Sequence, residues 1–72
     1  MSKYSVARGA ITRALEAGEG DGCSREDVLL ALLVTCVADY RSLAGAEAAA
    51  TALRYELGEL DGAIDTQFIR SR

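Results

Sequence analysis

Two thiols, eleven carboxylates and three phenols are the side chains of this 72-residue chain with reactive potential, and it has no histidine to serve as a general base or metal ligand. Cys23 holds the greatest chemical promise, because a thiol beside a helix amino terminus can react as thiolate. Glu26 and Asp27 beside it disfavour that anion, no base stands ready to activate it, and the second cysteine is not at CxxC spacing. Cys23 therefore reads as a packing residue in front of a helix, and Cys36 as a small core residue on an apolar seam. With Cys36 inside the helix that Cys23 precedes, about 18 Å separates them, against the roughly 4 to 7 Å between Cα atoms that a disulfide needs. Two such distant thiols without histidine also cannot assemble a four-ligand zinc site. No catalytic residue, cofactor or metal is expected, and the chain is not read as an enzyme.

All eleven carboxylates fall between Glu16 and Asp65. Glu56, Glu59, Asp61 and Asp65 form a patch with no basic residue between Tyr55 and Ile69. Acid and base chemistry would need an apolar enclosure to raise a carboxyl pKa, which this glycine-containing stretch does not promise. A solvated face is the plain reading of this patch; docking of a basic partner is the sharper one, with Tyr55 and Phe68 as apolar anchors among Glu56, Glu59, Asp61 and Asp65. The tyrosines do not make a nucleobase platform, since Tyr4 and Tyr40 fall on apolar stripes and Tyr55 neighbours Glu56 rather than arginine or lysine. The tract Gly18-Glu19-Gly20-Asp21-Gly22 lacks the lysine and serine of a phosphate loop and the twelve-residue pattern of a calcium loop, so it is a connector.

These residues must be positioned by helices. The stretch 24–44 is the centre of the chain: between Val28 and Ala38 only Thr35 is polar. A helix apolar on every side must be covered from more than one direction. The run is too short for a membrane span, which takes about 18 to 20 residues, and charges flank it. Its start is marked by Ser24 with Asp27 three residues on, by acids in the first turn, and by the staple pair Cys23 and Val28. Leu29, Leu33, Cys36, Tyr40 and Leu43 make one seam, and Leu30, Val34 and Val37 a second beside it. Before it, Tyr4, Ala7, Ile11, Ala14 and Leu15 form a single stripe over 3–17, capped by Ser2 or Ser5, with Gly18 as terminator. After the break at Gly45, Ala46, Ala50, Leu53, Leu57, Leu60 and Ile64 repeat at steps of four and three, a stripe that carries a helix over 46–60. The tail from Ala63 fits either helix or strand.

The expected fold is therefore all-α: a small three-helix bundle of about 3–17, 24–44 and 46–60 with a short carboxyl-terminal tail, forming one domain over 1–72. Small chains bury a modest share of their surface and usually need a staple, and with disulfide and metal set aside the remaining staple is a second copy. A homodimer is expected, with Leu30, Val34, Val37, Leu53 and Leu57 as the self-association residues. The net charge of −3 and pI near 4.7 argue against general attraction to nucleic acid or anionic membrane. A DNA-reading helix-turn-helix would need a basic second helix, and 46–60 holds only Arg54. No secretory h-region is visible, which points to a cytoplasmic, reducing setting. The functional expectation is a protein-binding module, a regulator or inhibitor that occupies a surface of another protein. Phage-encoded anti-CRISPR and anti-restriction inhibitors share this size and acidity, at the level of composition only. A self-associating assembly module is the alternative, and a DNA-binding regulator ranks last.

Overall fold

A computed structural model of the chain describes the backbone of residues 2–70 and the side chains of residues 2–63. It contains three α-helices, α1 Lys3–Gly20, α2 Arg25–Ala44 and α3 Ala46–Arg70, and no strand among the described residues. The all-α expectation and the number of helices are thus what the structure shows. The chain divides into two units, Met1–Cys36 and Val37–Arg72, and α2 contributes its first half to one and its second half to the other.

In the first unit both helix starts carry hydroxyl caps. Ser2 Oγ accepts the Ser5 N–H at 3.2 Å, and Ser24 Oγ accepts the Asp27 N–H at 3.1 Å. Each satisfies one of the four donors that a helix start leaves unpaired. The end of α1 differs from the expectation. Gly18 does not terminate the helix, which continues to Gly20. The left-handed residue is Gly22, at φ +79°. Around it the Cys23 N–H donates to the Gly18 carbonyl at 2.8 Å and the Gly22 N–H to the Glu19 carbonyl at 3.1 Å. That pair of bonds is the Schellman closure, which requires a residue without a Cβ penalty at the fifth position.

Gly18 has a different task. A Cβ built on it would collide with Val28 Cγ2 and stand 3.7 Å from Cys23 Cβ. α1 and α2 therefore meet most closely where Gly18 faces Val28. Ile11, Ala14, Leu15 and Gly18 of α1 are half-buried, as are Val28 and Leu32 of α2. At about 100° per residue Val28 and Leu32 share one side of α2. The face of α2 that α1 covers is thus the Val28–Leu32 ridge, rather than either of the seams the spacing singled out. Cys36 is exposed, a correction to its expected place in a core, because it lies beyond the end of this ridge.

In the second unit a single residue, Gly45 at φ +97°, separates α2 from α3. Its N–H donates to the Arg41 carbonyl at 2.9 Å and its carbonyl accepts the Ala49 N–H at 3.1 Å, so one glycine closes one helix and opens the next. Ala49, 5% exposed, is the buried apolar residue among the described residues, with Ala50 and Ala52 half-buried beside it. Packing here is by methyl groups, while Leu53, Leu57 and Leu60 remain exposed. The expected end of the third helix near Leu60 is corrected by ten residues' worth of further helix, since α3 runs to Arg70. Gly58 and Gly62 lie inside it with no positive φ. A glycine weakens a helix without stopping it unless the chain turns left-handed there. The side chains of the former tail, from Ile64 on, lie outside the described residues.

Gly18 and Gly20 respond differently to alanine. Gly20 has nothing within 4 Å of an added Cβ, so Gly20→Ala should stabilise by about 0.5–1 kcal/mol through helix propensity. Gly18→Ala forfeits that gain to overpacking against Val28 and should fall about 1–3 kcal/mol below Gly20→Ala. Urea denaturation of the two variants measures the difference, and equal stabilities would refute the close approach. Ser24→Ala in the same assay should cost about 1 kcal/mol.

Candidate functional site

Apolar side chains left in solvent are the feature from which any site must be built. Along α2, Leu30 is 58% and Val34 63% exposed, with Val37 half-buried. Leu29, Leu33, Tyr40 and Leu43, the other seam, are exposed as well. The covered ridge of Val28 and Leu32 explains why. Leu30 and Val34 sit about 200° and 240° round the helix from Val28, on the side turned away from α1. Asp27 is exposed and lines the furrow beside α1 together with Ala14 and Gly18.

In the first unit an open apolar groove of about 370 Å³ is lined by Ala7, Ala10, Ile11, Leu29, Leu32, Leu33 and Cys36. A second, of about 320 Å³, lies on the other side of the ridge between Ala14, Gly18, Cys23, Asp27, Val28, Ala31, Leu32 and Thr35. Each groove is a furrow beside the α1–α2 contact. Cys23 and Cys36, both free and exposed, stand one on each. In the second unit a shallow depression is lined by Tyr40, Ala44, Glu47, Ala48, Thr51 and Ala52. Among the described residues no group of three or more Cys, Asp or Glu could hold a metal ion. No described helix is long and apolar enough to cross a membrane.

The carboxyl-terminal docking residues separate by position on α3. Leu53 and Leu57 are exposed and fall on one stripe with Leu60. Glu56 borders that stripe on one side and Asp61 on the other, each within about 60° to 100° of it. Tyr55, 69% exposed, shares the far side of the helix with Glu59, four residues on. Helical geometry therefore puts Tyr55 and Glu59 together and sets Asp61 about 120° away from Tyr55. Asp65 and Phe68 belong to the last turns of α3, and their side chains lie outside the described residues. At the amino terminus Lys3 Nζ sits 5.3 Å from the centre of the Tyr4 ring, an exposed cation–π contact that leaves Tyr4 outside any core.

The positioning of Val28, Leu32 and Gly18 as the α1–α2 contact had a local signal, the lack of a Cβ at Gly18, but only a partner helix gives that lack a meaning. Compared with known families, curated sequences and solved structures, the chain matches none of them.

Because both thiols are exposed, the native protein should take up two equivalents of a thiol reagent without denaturant, as counted by absorbance or intact mass. A single equivalent, with the second released only by urea, would place Cys36 under cover.

Proposed function

We propose that this chain is a non-enzymatic protein-binding module that regulates or inhibits another protein by occupying a basic surface on it. The observation that carries this reading is the α3 segment from Leu53 to Asp61. Leu53, Tyr55, Leu57 and Leu60 are exposed there, interleaved with Glu56, Glu59 and Asp61 against the single base Arg54. Exposed aromatic and aliphatic side chains supply apolar contact area, and acids around them select a positive partner and speed the encounter. Such a surface acts by shape and charge, with no bond made or broken. Both cysteines are free, which supports action in a reducing compartment such as the cytoplasm.

Glu56→Lys combined with Glu59→Lys tests this reading. The wild type, immobilised, should retain a basic protein from host lysate, with retention falling as salt rises. The double variant should retain it at least about tenfold less, the scale of losing two charge contacts, while its far-UV circular dichroism stays unchanged. Equal retention by both proteins would remove α3 as the docking surface.

A further inference from the structure

α3 carries a stripe built like one half of a two-helix seam. Leu53, Leu57 and Leu60 follow steps of four and three, and all three are exposed. In heptad terms they are d, a and d positions, which puts Glu56 at g and both Arg54 and Asp61 at e, the places from which a side chain reaches across the edge of a seam to a neighbouring helix. Glu56 therefore stands on one edge of the stripe, and Asp61 on the other with Arg54 two turns before it. These three charged residues are exposed as well. From this placement we infer that the Leu53–Leu60 stripe takes a single amphipathic helix of another protein, one with apolar residues at the same four-and-three spacing and with lysine or arginine along both edges. The inference rests on the docking reading of α3 given above and names the form of its partner.

Spacing, the position of the glycines and charge each point to that occupant. The anchors stand at i, i+4 and i+7, the interval at which one helix lays its apolar face on another. An extended segment repeats every second residue and has no such interval. Gly58 and Gly62 fall about 140° and 180° round α3 from Leu53, so the helix lacks side chains on its outer side and keeps them along the stripe. A Cβ added at either glycine meets nothing within 4 Å. The edges then select the sign of the partner. Glu56 and Asp61 bracket the leucines, and no base follows Arg54 before Arg70, so a helix with positive edges gains attraction on both sides of the seam. A second copy of the stripe does not supply those bases, because Arg54 is the one positive residue on its edges.

A synthetic helix tests the proposal on the full chain. The probe is a fluorescein-labelled peptide of three heptads with leucine at a and d and lysine at e and g, whose own lysines keep it from pairing with itself. Fluorescence anisotropy should show micromolar binding. The same peptide with glutamate at e and g, or with a central proline that breaks its helix, should bind at least about tenfold more weakly. Leu57→Ala should weaken the lysine peptide by about tenfold. Glu56→Lys should weaken the lysine peptide and strengthen the glutamate one, whereas Glu19→Lys, the same change of charge in the connector, should alter neither by more than about twofold. Circular dichroism confirms that each variant keeps its helices. Absence of binding, a proline-interrupted peptide that binds as well as the intact helix, or a Glu56→Lys variant that keeps the wild-type preference would each overturn the proposal. Lysine-peptide binding that weakens as the concentration of the chain rises would assign the stripe to a second copy and overturn it too. Retention of a basic lysate protein through Glu56 and Glu59 by a chain that ignores the lysine peptide would remove the helical partner alone and leave the docking surface standing.

Discussion

The structure depends on one close approach, between a residue that has no side chain and one that has a branched one. Where Gly18 faces Val28, α1 comes near enough to α2 for Ile11, Ala14 and Leu15 to rest against the Val28–Leu32 ridge. A methyl group on Gly18 would hold the helices apart, and dispersion contacts fade steeply once a gap opens. The same few residues carry the turn. The Gly18 carbonyl accepts the Cys23 N–H, so the point of contact and the closure that redirects the chain share an atom's neighbourhood. Over the first half of α2, choosing the face that α1 covers also chooses the face that it leaves bare.

What is left bare is extensive. α2 is apolar round nearly its whole circumference, and the half-buried positions on it are Val28, Leu32 and Val37. Burial of apolar area is worth about 25 cal/mol per Å², so each exposed leucine on α2 and α3 is stabilisation that the single chain does not collect. Exposed leucines taken one at a time are ordinary on a protein surface; rows of them at heptad spacing are not. The physical character of the molecule is thus a set of well-capped helices whose local geometry is satisfied and whose apolar faces are not.

The charges of α2 and α3 are distributed differently. On α2 the charges are sparse, and the apolar residues Leu30 and Val34 between them are exposed. On α3 the charges that follow Tyr55 are acidic, with Arg54 preceding them. Tyr55 and Glu59 on one side of α3, with Asp61 on another, spread that acidity round the helix rather than focusing it at a point.

Much of this was legible in the residues themselves. The helical state, the caps at Ser2 and Ser24, the break at Gly45 and the absence of any polar face on α2 all follow from signals that act within about four residues along the chain, the reach of a helical hydrogen bond. The row Leu30, Val34 and Val37 was likewise visible as a seam. Which side of α2 its neighbour would cover was not, since that depends on Gly18 being a contact rather than a terminator, and a glycine in a connector reads the same either way until a second helix is set against it. Spacing could not rank the alanines of α3 above its leucines, because Ala49 becomes the buried residue only when small side chains let the backbone come close. Nor did Gly58 and Gly62 reveal that α3 continues past them to Arg70, since a glycine ends a helix only where its φ turns positive. Local bonding is written residue by residue, whereas the choice of which apolar face to bury belongs to the pair of surfaces that meet.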